Sequence, residues 1–173
     1  MNLVRSLITD VPDWPKPGVT FKDITPLLAS PEGFRQAVDA IAESAPGGID
    51  FVVGMEARGF IFAAPVALRL GAGFVPVRKP GKLPRAVLSE SFALEYGTET
   101  LTMHVDAMVA GARVLVVDDV LATGGTIAAT SALLTRLGAE LVHVSVLLEL
   151  TSLGGRARLL EAGIDSCSAV VTD

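Results

Sequence analysis

The chain has 173 residues, half of them hydrophobic and 19% charged, with a formal net charge of −5 at pH 7. This length and apolar content predict one domain with a single core, and the acidic balance argues against a nucleic-acid binder, which usually presents a basic face. No apolar run approaches the roughly 18–20 residues of a membrane span, and the N-terminal residues lack a secretory signal pattern. The single cysteine, Cys167, excludes an intrachain disulfide, so we expect a cytoplasmic protein without a zinc site.

Helical and strand patterns alternate along the first half of the chain. Ser30-Pro31-Glu32 combines an N-cap residue, a proline at the first helical position and a first-turn acid, which predicts a helix to about Ser44. The next segments predict, in order, a strand at Phe51–Gly54, a helix at Phe60–Leu70 closed by Gly71, and a strand at Gly73–Val77. The polar stretch Lys79–Ser89 predicts a long loop, followed by a hairpin of Ser91–Leu94 with Thr100–His104.

The second half continues this alternation. Val114–Val117 is an apolar run typical of a strand covered on both faces. The segments after it predict a helix at Thr126–Leu137 stopped by Gly138, a strand at Leu141–Leu148, a helix at Leu153–Ala162 stopped by Gly163, and a strand at Cys167–Val171. Such alternation predicts an α/β fold with a doubly wound, mainly parallel sheet flanked by helices. Ligands of these sheets bind beyond the carboxyl ends of the strands.

Two acids and a glycine turn follow the strand at Val114–Val117. Neighbouring carboxylates such as Asp118 and Asp119 repel each other, but beside a ribose they accept hydrogen bonds from its 2′ and 3′ hydroxyls. They also orient Mg²⁺ through its water shell. Thr123-Gly124-Gly125-Thr126 offers backbone N–H groups and two hydroxyls at a helix start, which suits a phosphate. A lone TGGT also occurs in plain βα connections, whereas the whole ordered run favours a ribose-phosphate site.

The run from Val114 to Thr126 resembles the motif with which type I phosphoribosyltransferases bind 5-phosphoribosyl 1-pyrophosphate (PRPP). Further segments resemble the adenine phosphoribosyltransferases in one register over almost the whole chain. These are Pro15–Ile24 (base-binding element), Val53–Phe62 (pyrophosphate loop), Arg78–Pro84 with Ser91–Gly97 (mobile catalytic loop), and Glu149–Leu153 with Gly155 and Arg156. The resemblance implies one phosphoribosyltransferase domain over residues 1–173, with residues 1–30 as the base-binding element and residues 79–97 as the mobile loop.

The resemblance also implies the reaction of adenine with PRPP to give AMP and pyrophosphate in purine salvage, by a homodimer, with Mg²⁺ held mainly by PRPP and water. It assigns phosphoribosyl binding to Asp118, Asp119, Ala122, Thr123, Gly124, Gly125 and Thr126. It assigns pyrophosphate binding to Arg58, Arg78, Lys79 and Lys82, and a non-proline cis peptide is expected around Glu56-Ala57. Arg85 has no counterpart in the motif and is expected to be a surface residue.

For the base, the resemblance implies that Phe21 and Val120 sandwich adenine while main-chain atoms near Thr20 and Lys22 contact its edge. Family members often carry arginine at the position of Lys22, which leaves a contribution from its side chain open. Glu95 is the implied catalytic acid, bonded to adenine N7. A structural role remains open for two of these residues, with Phe21 as a core residue and Glu95 as a turn residue on an exposed hairpin. His104 and His143, in predicted strands, are expected to be structural.

Two other functions compete with this reading. A phosphoribosyltransferase for another nucleobase shares the chemistry, but 6-oxopurine enzymes typically carry a lysine and an aromatic residue after the strand that follows the PRPP motif. The corresponding stretch here is Thr151-Ser152-Leu153. A regulator of the same fold that binds nucleic acid needs a basic surface or an added domain, and the charge and length of this chain favour neither.

Overall fold

The computed structural model describes residues 2–93 and 97–173. The helices of the described part are α1 (Asn2–Ser6), α2 (Thr25–Ala29), α3 (Pro31–Ser44), α4 (Arg58–Leu70), α5 (Gly125–Arg136) and α6 (Gly155–Glu161). Its strands are β1 (Thr9–Val11), β2 (Phe21–Asp23), β3 (Phe51–Met55), β4 (Gly73–Val77), β5 (Val87–Ala93), β6 (Thr98–His104), β7 (Arg113–Leu121), β8 (Glu140–Glu149) and β9 (Cys167–Thr172). No described helix is both long and apolar enough to cross a membrane.

Five parallel strands form the central sheet in the order β4-β3-β7-β8-β9. The chain begins near the middle with β3, steps outward to β4, and then returns past β3 to build β7, β8 and β9. This is the doubly wound order, and it confirms the predicted fold class. The strand order reverses between β3 and β7, so the crevice at their carboxyl ends is the expected ligand site.

Alternate residues of the central strands point to opposite faces of the sheet, as strand geometry requires. Leu115 and Val117 pack with α1 to α4 on one face, while Val114 and Val116 pack with α5, α6 and the hairpin of β5 and β6 on the other. The sheet thus divides the apolar interior into two layers, where the composition predicted a single core. Both faces of β7 are buried, as predicted for its apolar run.

The predicted helix after Ser30 is confirmed over Pro31–Ser44, with the Ser30 side chain accepting a hydrogen bond from the Gly33 N–H at 3.1 Å. Two other predictions were wrong at their edges. β5 begins at Val87, inside the predicted loop, because Val87–Ala93 pairs with β6 along its whole length. The last helix begins at Gly155 rather than Leu153, because a 3₁₀ turn and a left-handed Gly154 precede it.

The N-terminal elements were not predicted. β1 and β2 pair antiparallel in a separate two-stranded sheet that carries Phe21. β7 is also longer than predicted, because its pairing with β8 continues to Leu121 opposite Glu149. Asp118 and Asp119 therefore lie inside the strand rather than after it, where their backbone positions are fixed by the sheet.

Candidate active site

A cavity of about 370 Å³, the first cavity, opens where β3 and β7 end. One wall is formed by residues 55–58, at the end of β3 and the turn into α4, and the other by residues 118–124. Thr126 and Ile127, from the first turn of α5, complete the lining. The cavity therefore brings together the predicted acid pair, Arg58 and most of the predicted phosphate cradle at the switch point of the sheet.

The acid pair is almost fully buried, with relative exposures of 8% for Asp118 and 7% for Asp119. Asp118 Oδ1 accepts a hydrogen bond from the Asp119 backbone N–H at 3.0 Å, and Asp119 Oδ2 lies 2.8 Å from Arg58 Nε. Burial raises the pKa of Asp118 well above its ordinary value of 3.8, and the charge of Asp119 raises it further. Burial also raises the pKa of Asp119, although the Arg58 guanidinium opposes this. Such a pair favours a ligand that donates hydrogen bonds or carries positive charge.

The loop of residues 122–124 leads from β7 into the N-terminus of α5. Gly124 adopts a left-handed conformation with φ of 80°, which glycine reaches at no steric cost. No described side chain caps the first turn of α5, so its leading N–H groups keep their capacity to bind a ligand. The helix dipole adds positive potential at the same point. The loop, including Gly125 as the first helical residue, suits a phosphate group.

A smaller, second cavity of about 160 Å³ adjoins the first. Phe21 and Val120 line it together with the apolar side chains of Ile24, Leu148 and Leu150. Thr20 and Lys22, predicted to contact the edge of the base, also border it. Such apolar walls suit a flat aromatic ligand.

Arg58 connects the two cavities. Arg58, Asp119 and Val120 line both of them, and the guanidinium carbon of Arg58 lies 5.2 Å from the centre of the Phe21 ring. The Trp14 ring meets Phe21 edge-on, with 4.3 Å between the ring centres. A ligand that fills both cavities would therefore pass between the acid pair and the aromatic wall.

The predicted basic cluster lies beside the first cavity and is held by carboxylates. Arg78 Nε is 2.8 Å from Glu56 Oε2, the Lys79 N–H donates to Glu56 Oε1 at 3.0 Å, and Lys79 Nζ is 2.5 Å from Glu99 Oε1. Burial opposes ionisation of Glu56, yet its bonds to Lys79 and Arg78 hold its pKa below the ordinary value. Of the described residues that line the first cavity, none is Arg78, Lys79 or Lys82. Glu56 lines that cavity and also binds Arg78 and Lys79, so it connects the cluster to the first cavity.

Comparison with known proteins identifies the family. The model of the phosphoribosyl transferase domain matches residues 23–167. An adenine phosphoribosyltransferase of Cutibacterium acnes is 63% identical over 171 residues, covering 99% of this chain and 97% of that protein. The chain belongs to the adenine phosphoribosyltransferase family.

Solved structures of family members agree in fold. The crystal structure of adenine phosphoribosyltransferase from Thermoanaerobacter pseudethanolicus is 44% identical, with a TM-score of 0.94 and 99% of each chain covered. The Saccharomyces cerevisiae enzyme, crystallised with an imino-altritol bisphosphate and adenine, is 36% identical, with a TM-score of 0.89 and 98% of each chain covered. The type I phosphoribosyltransferase fold implied by the resemblance is therefore confirmed.

The structure can be compared with three expectations drawn from the adenine phosphoribosyltransferase family, which concern the Glu56–Ala57 peptide bond, Glu95 and Lys22. The Glu56–Ala57 peptide bond is cis, as expected. Glu95 lies outside the described residues. The Lys22 ammonium contacts Asp10 and Asp173 at 2.9 and 2.7 Å, and its hydrogen bond to Asp173 raises the pKa of Lys22. The long side chain of Lys22 is therefore directed to carboxylates.

The two histidines lie in strands and Arg85 lies at the surface, as predicted. The buried His143 ring lies between the hydroxyls of Ser166 and Ser168, at 2.7 and 2.9 Å. His104 lies at the end of β6, and the exposed Arg85 pairs with Asp106. Arg85 is therefore a surface residue, as expected.

Three residues that line the cavities were not assigned a role from the sequence. Leu148 and Leu150 line the second cavity, and Glu56 lines the first while it holds the basic cluster. Each follows or ends a predicted strand, so the rule that ligands bind at carboxyl ends could have found them. The residues that lie opposite them across each cavity could not be predicted by this rule. A strand end gives no information on which loop faces it.

Proposed function

We propose that this chain transfers the phosphoribosyl group of PRPP to adenine, releasing pyrophosphate and forming AMP in purine salvage. The observation that carries the proposal is the pair of joined cavities. One offers buried carboxyls and a helix N-terminus to a sugar phosphate, and the other offers apolar walls to a flat base. Arg58, Asp119 and Val120 form the boundary between them, where the bond between ribose and base would form.

The phosphoribosyl group would occupy the first cavity. Its 5′-phosphate fits the N–H groups and hydroxyls of residues 122–126, at the start of α5. Its 2′ and 3′ hydroxyls would donate to Asp118 and Asp119. As the bond from C1′ to pyrophosphate breaks, positive charge develops on the ribose, and these two carboxyls would stabilise it.

Arg58 would bind the departing pyrophosphate, since its planar fork matches two phosphate oxygens. The guanidinium is paired with Asp119 at 2.8 Å, so binding of PRPP would exchange this ion pair. Asp119 would gain the ribose hydroxyls and Arg58 the phosphate oxygens. Arg78, Lys79 and Lys82 would supply further positive charge to the pyrophosphate when the mobile loop of residues 79–97 closes.

Adenine would lie between Phe21 and Val120, with main-chain atoms of Thr20 and Lys22 at its edge. A second candidate function, transfer to another nucleobase, requires different polar contacts there. The stretch Thr151–Leu153 after β8 is an exposed 3₁₀ turn without the lysine and aromatic pair of 6-oxopurine enzymes. The 160 Å³ cavity and its apolar walls suit a flat base, and the missing lysine and aromatic pair favours adenine over a 6-oxopurine.

Glu95 is the proposed catalytic residue. A carboxyl near adenine N7 would manage the ring proton that must leave as N9 attacks C1′. Closure of the loop that carries Glu95 would keep water from the ribosyl cation, which it would otherwise hydrolyse.

The reaction would require Mg²⁺, held mainly by PRPP oxygens and water. The described residues contain no group of three or more side chains that could cage a metal ion. The hard oxygen donors of Asp118 and Asp119 fit an ion that keeps most of its water shell. When bound, the ion would neutralise charge on the leaving pyrophosphate.

We also propose a cytoplasmic homodimer. The lone thiol, Cys167, is compatible with a reducing compartment. Apolar side chains are exposed along α4 and the edge strand β4, with exposures of 36% for Ile61, 84% for Leu68 and 37% for Phe74. Light scattering on the purified chain tests whether it is a dimer. A monomer at micromolar concentration would contradict the proposed dimer.

A panel of bases tests the substrate assignment. Adenine, hypoxanthine, guanine, xanthine and uracil are each offered with PRPP and Mg²⁺, and nucleotide is measured by chromatography. We expect nucleotide from adenine alone. Efficient turnover of another base with none from adenine would show that the alternative is correct.

A further inference from the structure

The loop of residues 122–124 is backed by the first turn of α6, with backbone against backbone. A Cβ atom on Gly155 would lie only 2.2 Å from the Ala122 carbonyl oxygen, and one on Gly124 would lie 2.8 Å from the Gly155 carbonyl oxygen. Nothing larger than glycine fits between the two segments without displacing backbone. The position of the phosphate loop therefore depends on the position at which α6 begins.

α6 has only seven residues, too few to be stable without tertiary contacts. Leu159 is fully buried in the core layer beneath it. Arg156 makes a two-pronged ion pair with Glu149, with Nε 2.9 Å from Oε1 and Nη2 2.5 Å from Oε2, and its Nη1 donates to the Cys167 carbonyl at 2.9 Å. Glu149 ends β8 opposite Leu121, so the pair ties α6 to the strand end that carries the phosphate loop.

Glu149 is more deeply buried than Arg156 in this ion pair. The Glu149 side chain is 7% exposed, whereas that of Arg156 is 44% exposed. Water cannot readily replace the guanidinium at Glu149, so removing Arg156 leaves a buried carboxylate without its partner, which is strongly unfavourable. The simplest relief is a shift of α6, and Gly155 would move with it.

We propose that Arg156 is a positioning residue for the phosphate loop. Its pair with Glu149 holds Gly155 against residues 122–124 and so keeps the loop N–H groups at the spacing that the 5′-phosphate requires. This rests on the proposed function of the loop. Arg156 is not among the described residues that line the first cavity, so it acts through the backbone of its neighbours.

Titration calorimetry with two probes tests the proposal. Under the proposed function, ribose 5-phosphate binds the loop and Mg²⁺-pyrophosphate binds Arg58. We expect Arg156→Met to weaken ribose 5-phosphate binding about tenfold or more, because small displacements of binding groups have effects of this size, and to leave pyrophosphate binding unchanged. Arg156→Lys keeps one charged contact and should recover part of the affinity. The matched control Arg35→Met removes a two-pronged pair with Glu32 on α3 and should change neither affinity.

A second variant makes the test independent of the ion pair. Gly155→Ala leaves Arg156 and Glu149 intact but pushes directly on Ala122, and it should show the same selective loss. Circular dichroism checks that every variant is folded. Equal weakening of both probes, or wild-type affinity for ribose 5-phosphate in Arg156→Met, would overturn the proposal. A wild-type chain that binds ribose 5-phosphate but forms no AMP would count against the proposed function alone.

Discussion

Asp118→Asn should make the protein more stable and less able to bind PRPP. The asparagine side chain keeps an oxygen that accepts from the Asp119 N–H, a bond of 3.0 Å in the wild type, so no internal hydrogen bond is lost. What is removed is a nearly buried charge beside a second carboxyl. Removing an unfavourable buried charge of this kind should raise the free energy of unfolding by about 0.5–2 kcal/mol. This corresponds to a rise in Tm of about 1–8 °C for a domain of this size.

The sign of the pH dependence follows from the direction of the shift. The pKa of Asp118 is raised by folding, chiefly through burial, so the native state binds more protons than the unfolded state between the two pKa values. The contribution of Asp118 to the stability of the wild type therefore falls as pH rises above about 3.8, the ordinary value. The advantage of Asp118→Asn should be absent below that pH and should grow as pH rises towards neutrality.

Binding should change in the opposite direction. A hydrogen bond between a ribose hydroxyl and a charged acceptor contributes about 1.5–3 kcal/mol, so Asp118→Asn should weaken PRPP binding about 10- to 150-fold, and adding Asp119→Asn should abolish it. Calorimetric titration with Mg²⁺-PRPP and thermal melts from pH 4 to 8 measure both effects, with Asp165→Asn, at an exposed position, as control. A lower Tm at pH 7, or an unchanged affinity, would refute the reasoning.

Three further substitutions test other parts of the site. Phe21→Ala should raise KM for adenine about 5- to 150-fold, since stacking of a base on an aromatic ring is worth about 1–3 kcal/mol; an unchanged KM would assign Phe21 to the core. Glu95→Gln should lower kcat by about two to four orders of magnitude with an unchanged circular dichroism spectrum; wild-type kcat would remove Glu95 from the mechanism. Gly125→Ala places a Cβ 2.9 Å from the Phe92 ring and should lower kcat, and adding Phe92→Leu should restore part of it; no restoration would contradict the packing argument.

The sheet could be predicted from the sequence because its strands are uniformly apolar and separated by well-marked helices. The Ser30 cap, the Gly71 end of α4 and the run Val114–Val117 all carry local signals that tertiary structure did not override. β1 and β2 have only three residues each, and their pairing depends on contacts made elsewhere, so no local pattern revealed them. The extension of β7 through two acids was missed because charged residues normally mark a strand end.

The residues of the candidate site could be predicted from the sequence, but the ion pairs between them could not. The acid pair, the glycine turn and Arg58 are recognisable from residue type and order, and the fold brings them to one cavity. The pairs Arg58–Asp119 and Arg78–Glu56 join residues 61 and 22 positions apart, and only the folded chain reveals them. The roles proposed for individual residues stay predictions until the substitutions are made.

The most direct test of the proposed activity is a time course with adenine, PRPP and Mg²⁺ in which AMP and pyrophosphate are measured together. Transfer of the phosphoribosyl group predicts that both products appear at the same rate and in equal amounts, and that omitting adenine, PRPP or Mg²⁺ stops their formation. Pyrophosphate released without AMP would indicate hydrolysis instead of transfer. Absence of both products from a folded chain would contradict the proposed function.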